Sequence, residues 1–165
     1  MIFIFLKFQI NTKSYMELSK ILAISGKPGL FKMISQTRNS IIVESLIDGK
    51  RMPAYATQKI SNLEEIAIFT TGEEIPLADV LKIILDKTEK NSVDDIISDN
   101  AKLKHFFEEI LPEYDKERVY ASDMKKVITW YNILLKNNLL ESDEPKIEEV
   151  AETKAEVTEE KTEEK

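Results

Sequence analysis

The chain of 165 residues contains no cysteine and a single histidine, His105. Without cysteine the protein has no disulfide, thiolate zinc site, iron–sulfur cluster or cysteine nucleophile. One histidine also leaves little scope for imidazole-based metal sites and acid–base catalysis. We therefore expect a core held by apolar burial alone, with no cofactor and no enzymatic activity.

The first residues contain too few apolar side chains to form a membrane anchor. Residues 2–6 are apolar, whereas a transmembrane helix needs about 20 such residues. The basic start, the longer apolar stretch and the cleavage site of a signal peptide are also missing. These features predict a cytoplasmic protein without a membrane partner.

The net charge of −7 belongs to the end of the chain. Residues 141–165 contain eleven acidic and four basic side chains, whereas the other 140 residues contain nineteen of each. The end segment has no aromatic residue and too little apolar surface to offset the entropy of ordering, which predicts a disordered acidic tail. The favoured interpretation is that the tail keeps the protein soluble. The other is that it competes for a basic surface, including the protein's own basic half.

The residues from 30 to 71 follow the pattern of β-strands. Four apolar or β-branched runs are separated by turn signals: residues 30–35, 40–47, 50–57 and 66–71. The dipeptide Asp48-Gly49 suits the positive φ of a tight hairpin, and Pro53 confines the third run to an edge or a bulge. Four or five short strands predict a small SH3-like β barrel or a curled antiparallel sheet.

The residues after 75 have the apolar spacing of amphipathic helices. We expect helices over residues 76–88, 92–97, 99–111 and 122–135. Ser92, Asp99 and Ser122 are the predicted N-caps, and Pro112 ends the third helix. Trp130 widens the apolar stripe of the last helix, which predicts a central position for it.

Together these patterns predict an α+β protein in four regions. An N-terminal extension (1–15) precedes a β-rich domain (16–74), and a helical domain of three or four helices (75–140) precedes the acidic tail (141–165). The charge and the change of apolar period, rather than any linker composition, mark these boundaries.

No group of polar residues has the spacing of a catalytic or metal site. The turn at 25–29 lacks the order of glycines, lysine and hydroxyl found in a phosphate-binding loop, and Pro28 removes one backbone donor. His105 has Glu108 and Glu109 one helical turn away, which supplies two kinds of ligand without a third. Acidic residues at helix starts, such as Asp99, are explained by the helix dipole.

Two turns are the predicted binding surface of a non-enzymatic interaction or scaffold protein. They consist of Lys27, Pro28 and Gly29 in the first turn and Asp48, Gly49, Lys50 and Arg51 at the hairpin tip. The favoured partner is another protein. The alternative is RNA or another nucleic acid, because residues 16–62 contain seven basic and three acidic side chains, with Phe31 or Tyr55 available for base stacking.

Seven short segments carry a resemblance to a known family: MELSKIL (16–22), ISGKPGLF (24–31), IVESL (42–46), DGKRMPA (48–54), LPEYD (111–115), RVY (118–120) and WYN (130–132). From Met16 to residue 140 the chain resembles an uncharacterised family of Bacteroidota proteins, known only as a domain of unknown function. The resemblance implies an N-terminal β module, a C-terminal helical module and an intracellular bacterial setting. It implies no activity.

Because the resemblance starts at Met16, we predict that translation also starts there and that residues 1–15 are an upstream extension. Mass spectrometry of the protein isolated from its native cells then finds an N-terminal peptide beginning at residue 16. Detection of an intact peptide spanning residues 7–20 contradicts this prediction.

Overall fold

A five-stranded antiparallel sheet forms the first half of the described chain. The computed structural model describes residues 18–55 and 57–140, so the predicted extension (1–15) and acidic tail (141–165) lie outside the described residues. The strands are β1 (Ile21–Ile24), β2 (Phe31–Gln36), β3 (Ser40–Ser45), β4 (Arg51–Tyr55) and β5 (Ile60–Asn62). Their order in the sheet is β4-β3-β2-β1-β5.

The two faces of the sheet contribute to two different apolar cores. Ile21 of β1 packs among helix residues in the larger core, whereas Leu22 and Ile24 belong to the smaller one. The smaller core is completed by buried residues of the next strands: Phe31, Val43 and Ala54. Since both faces of β1 are covered, its sequence is apolar throughout and lacks the polar alternation of a half-exposed strand.

The sheet is curled and does not close into a barrel. Within the described residues, β4 and β5 form its two edges and share no ladder with each other. The turn between β1 and β2 bends toward β4, where the Lys27 ammonium lies 2.9 Å from the Met52 sulfur. The predicted α+β class with a curled antiparallel sheet is therefore confirmed in its open form.

The predicted strand over residues 66–71 is wrong in its extent and in its pairing. Only Ala67–Ile68 is a strand (β6), and it pairs with Ile75–Pro76 (β7) outside the main sheet. Thr70 instead forms an isolated bridge with Tyr114, which ties this stretch to the helical half. In the main sheet, β1 lies next to β2 and β5 forms the edge opposite β4. Neither β1 nor β5 lies within the four runs that were predicted to be strands.

The edge strand β4 limits pairing with another chain. Its Pro53 has no backbone N–H, and the Tyr55 N–H donates to the Gln58 side chain at 3.2 Å. The sheet order confirms the predicted edge position of the run that contains Pro53. Gly49 has a φ of +70°, which confirms the predicted hairpin turn after β3.

Up to residue 140, three α-helices follow the sheet: α1 (Leu77–Lys87), α2 (Asn100–Ile110) and α3 (Ala121–Lys136). The Asp99 side chain caps α2, as predicted, by accepting hydrogen bonds from the N–H groups of Ala101 and Lys102 at 2.8 and 3.3 Å. α2 ends just before Leu111-Pro112, also as predicted. In the part of the chain that the structure describes, no helix has both the length and the apolarity to cross a membrane.

Two of the predicted N-caps, Ser92 and Ser122, are wrong. Within the predicted helix over residues 92–97, the chain forms only a short 3-10 turn, Asp94–Ile96, which has no side-chain cap. α3 begins after Tyr120, whose N–H donates to the Asp123 carboxylate at 3.3 Å. Asp123, in the first turn of α3, thus accepts a hydrogen bond from the backbone at the start of the helix, and Ser122 is not the N-cap.

The last helix occupies the central position that its wide apolar stripe predicts. Its residues Ile128, Tyr131 and Leu134 have no exposed side-chain surface. The Asn137 amide at its end donates to the Leu46 carbonyl beside β3 at 3.1 Å, so α3 contacts the sheet as well as the other helices. One core therefore includes residues of both predicted domains, and the division at residues 74 and 75 stays a prediction.

We predict that Tyr131→Phe lowers the free energy of unfolding by roughly 1–2 kcal/mol, because the buried phenol hydroxyl is lost with both of its hydrogen bonds. The Tyr131 hydroxyl lies 2.6 Å from the Thr88 hydroxyl and donates to the Asn91 carbonyl at 3.1 Å. Urea unfolding at pH 7 measures the change. The control is Tyr55→Phe, since that side chain is 52% exposed. Equal losses in the two variants contradict the prediction.

Candidate functional site: a cationic groove between the sheet and α3

A groove with a volume of 730 Å³ runs between the sheet and the first half of α3. The turn between β1 and β2 forms one wall together with residues around β5, and α3 forms the other. The polar and aromatic lining comprises Ser25, Lys27, Lys59, Ser61, Lys125, Lys126, Thr129 and Trp130. We call this feature the cationic groove.

The turn between β1 and β2 is shaped by glycine. Gly26 and Gly29 have φ values of +80° and +84°, a conformation that L-residues rarely adopt. The Ser25 N–H donates to the Lys59 carbonyl at 2.9 Å, which holds the chain before β5 against the turn. Residues 27 and 59 therefore line the same wall, although strands β2, β3 and β4 separate them in sequence, and the Lys27 ammonium itself contacts Met52 of β4.

The wall formed by α3 presents two lysines and, one helical turn later, a hydroxyl and an indole. Lys125 and Lys126 precede Thr129 and Trp130 by four residues each, the spacing that places side chains on one helix face. The Thr129 hydroxyl donates to the Lys125 carbonyl at 2.7 Å, and the Trp130 ring is half-buried. This face of α3 is therefore polar at its rim and aromatic beside the sheet.

Positive charge dominates the cationic groove, because four lysines line it and, among the described residues, no acidic side chain does. In the described part of the chain, Lys59 and Lys125 form no ion pair. Lys126 contacts Asp123 at 3.3 Å in an exposed pair, and such pairs are weak. A concave surface of one sign raises the local concentration of oppositely charged ligands. The groove is therefore suited to an anionic ligand.

An apolar pocket of 320 Å³ adjoins the cationic groove. It is lined mainly by Ile66, Ile68, Phe69, Phe107, Val119, Val127 and Trp130. Ile66, Lys126 and Trp130 line both cavities, so the two form one continuous surface. The combined surface offers a charged channel and a hollow for an apolar group.

Arg118 borders the apolar pocket. Its guanidinium carbon lies 4.3 Å from the centre of the Phe69 ring, and its Nε donates to the Asp115 carboxylate at 2.7 Å. The hydrogen bond from Arg118 lowers the pKa of Asp115, with smaller help from the Glu117 N–H. Arg118 is thus held over the ring by its carboxylate partner.

The structure brings one of the two predicted binding turns into the site. Lys27, Pro28 and Gly29 line the cationic groove. The hairpin-tip residues Asp48, Gly49, Lys50 and Arg51 do not line it, and their charges are paired locally: the Lys50 ammonium lies 3.1 Å from Asp48, and the Arg51 Nε lies 2.6 Å from Glu44. Hydrogen bonds from Ser45 first and Lys50 second lower the pKa of Asp48, which keeps the tip zwitterionic.

Sequence reasoning counted Lys59 only among the seven basic residues of 16–62, and it missed Lys125, Lys126 and Thr129 as site residues. Their only signal was local, since Lys125-Lys126 and Thr129-Trp130 repeat at a spacing of four on the predicted last helix. That spacing shows a shared face, yet it does not show what the face meets. For the stacking residues proposed for RNA, Phe31 is buried in the sheet and Tyr55 lies on β4, away from the groove.

The weak metal motif around His105 forms an exposed side-chain contact in the structure. The His105 Nδ1 lies 3.4 Å from the Glu109 carboxylate, and Glu109 also contacts Lys87 at 2.7 Å. The hydrogen bond from Lys87 lowers the pKa of Glu109. Within residues 18–55 and 57–140, no group of three or more His, Cys, Asp or Glu side chains is placed to hold a metal ion.

We predict that Arg118→Gln raises the pKa of Asp115 toward that of a free aspartate, because the guanidinium is the main cause of its lowering. In the wild type, the lowered pKa stabilises the fold above the ordinary aspartate range, and this contribution is lost as the pH falls through the folded value. The variant lacks the contribution. Carboxyl carbon chemical shifts followed by NMR measure the titration, on a pH window chosen around ordinary carboxyl values of about 4.

The matched control is Lys116→Gln, because Lys116 lowers the pKa of Glu108 through a 2.7 Å hydrogen bond. It should raise the pKa of Glu108 and leave that of Asp115 in place. An Asp115 titration that does not respond to Arg118→Gln contradicts the ion pair between these two side chains.

Two family models match the chain in succession. Residues 18–63 match a domain of unknown function, DUF5606, and residues 66–134 match another, DUF6852. The first region contains the main sheet, and the second contains α1, α2 and all but the last two residues of α3. Among curated proteins, none matches the chain.

The chain is also similar to a solved structure. A protein of Bacteroides vulgatus, determined by solution NMR, is 43% identical, with a TM-score of 0.63. The similarity covers 76% of this chain and 90% of that one. The chain therefore belongs to the uncharacterised bacterial family of this Bacteroides protein, in which an N-terminal sheet precedes C-terminal helices.

Proposed function

We propose that the protein is a non-enzymatic interaction module that binds an acidic segment of another protein in the cationic groove. The observation that carries the proposal is the presence of four lysines among the residues that line the groove, whose described lining contains no acidic side chain. The polar groups it presents are ammonium and hydroxyl groups, which suit anion binding. We place this activity in the cytoplasm, the setting that the family resemblance implies.

Complementary charge raises the rate at which a partner associates with such a surface, and it orients the partner on it. Carboxylates approaching Lys59, Lys125 and Lys126 are attracted at long range, and the attraction weakens with salt. The affinity of protein interfaces comes mainly from a few buried aromatic or apolar anchors. Trp130 and the adjoining apolar pocket supply that component, so the preferred segment carries acidic residues around one large apolar side chain.

The composition of the groove favours a protein partner over RNA. Proteins that bind single strands use several aromatic rings in a row to stack successive bases. In the described residues, Trp130 is the one aromatic side chain that lines the cationic groove. Arg51 and Arg118, which suit phosphate recognition, are engaged by Glu44 and Asp115. RNA binding is therefore the alternative function, and a direct binding measurement distinguishes it.

The test compares the full chain with the variant Lys125→Glu/Lys126→Glu in affinity purification from nuclease-treated native cells, with chemical crosslinking. The matched control is Lys102→Glu/Lys104→Glu, which makes the same charge change on α2 outside the cationic groove. We expect one or more proteins, crosslinked through acidic segments, to be retained by the wild type and the control. The groove variant should lose them by about tenfold, equal to 1.4 kcal/mol.

Binding of a fluorescent single-stranded oligoribonucleotide is measured on the same proteins. RNA binding that the groove variant loses, together with no groove-dependent protein, replaces the protein proposal by the RNA alternative. Equal retention of all partners by the groove variant and the control removes the cationic groove as the binding site.

A further inference from the structure

The acidic segment that follows the described body is complementary in charge to the cationic groove. Residues 141–165 hold eleven acidic and four basic side chains, and four lysines line the groove. We propose that this segment binds in the cationic groove of its own chain and competes there with the acidic segment of a partner. The inference rests on the proposed function of the groove and adds its regulation.

The position of the groove along α3 puts it within reach of the segment. Lys126 lies ten residues before Lys136, where α3 ends, and residue 141 follows five residues later. Ten helical residues at 1.5 Å each span about 15 Å, whereas extended chain covers about 3.3 Å per residue. About ten residues beyond Leu140 are therefore enough to return past the groove lysines, and the remainder can lie along them.

Covalent attachment makes even a weak contact effective. A short flexible connection gives the attached group a local concentration on the order of millimolar. An attached segment whose dissociation constant for the groove is comparable to that concentration occupies the groove about half of the time. The segment therefore occupies the groove without needing the affinity of a dedicated partner, and an added partner has to displace it.

The segment also contains the apolar component that the groove surface accepts. Ile147 and Val150 stand on either side of Glu148-Glu149, in the stretch nearest to the body. This arrangement of apolar side chains among carboxylates is the chemistry proposed for the partner. The same surface therefore has an internal ligand of the same class as its external one.

The experiment uses the full chain and a full-length variant in which the eleven acids of residues 141–165 are replaced by Gln or Asn. The probe is a labelled synthetic peptide with the sequence of residues 141–165. We expect the neutralised variant to bind the peptide at least about twofold more tightly than the wild type at low salt, because its groove is free of an internal competitor whose local concentration is comparable to its dissociation constant. Adding Lys125→Glu/Lys126→Glu to the neutralised variant should abolish that binding.

A second measurement needs no added peptide. Trp130 is the single tryptophan of the chain, so its indole N–H gives one unambiguous NMR signal. This signal should differ between the wild type and the neutralised variant at low salt and coincide at about 1 M salt, where charges are screened beyond about 3 Å. Replacing the four lysines of residues 141–165 by Gln is the control, and it should leave the wild-type signal position in place.

The outcomes separate this inference from the proposed function. Equal, groove-dependent binding of the peptide to the wild type and the neutralised variant overturns the inference and leaves the proposed function standing. An indole signal identical in the two proteins also overturns it. Failure of the peptide to bind either protein overturns both the inference and the proposed preference of the groove for acidic segments.

Discussion

The packing of α3 against both the sheet and the other helices is the contact on which the rest of the molecule depends. Ile128, Tyr131 and Leu134 are wholly buried there, and each large apolar side chain contributes roughly 1.5–3 kcal/mol through burial. Asn137 adds a hydrogen bond to Leu46 beside β3. Packing of this buried face fixes the position of the whole helix. It therefore also fixes the exposed side of α3, which carries Lys125 and Lys126 of the cationic groove.

Charge is distributed unevenly over the described residues, which their net charge does not show. Several described charges lie in local pairs, such as Arg51 with Glu44 and Lys116 with Glu108. Such exposed pairs cancel at a distance and contribute little to stability. Among the lysines of the cationic groove, Lys126 has the Asp123 carboxylate at 3.3 Å, and no acidic side chain stands on the described lining of the groove. Residues 1–140 hold nineteen acids and nineteen bases, yet this one concave surface is positive.

Local pattern was enough for the helices and insufficient for the sheet. The apolar period and the Asp99 cap predicted α1 and α2 closely, because a helix satisfies its backbone within one segment. The run at 66–71 has the composition of a strand, yet Thr70 bridges to Tyr114. A strand needs a partner elsewhere in the chain, so the short apolar stretches of β1 and β5 became recognisable only with their neighbours in place.

By itself, the sequence determined the α+β class, the order of sheet and helices, the confinement of the net negative charge to residues 141–165 and the glycine turn at Lys27–Gly29. Only the tertiary structure decided that this turn, rather than the hairpin tip, belongs to a larger surface. The hydrogen bond from the Ser25 N–H to the Lys59 carbonyl brings Lys59 beside the turn. The packing of α3 places Lys125 and Lys126 in the same groove. Residues so far apart in the chain share no local pattern, because burial of other side chains is what brings them together.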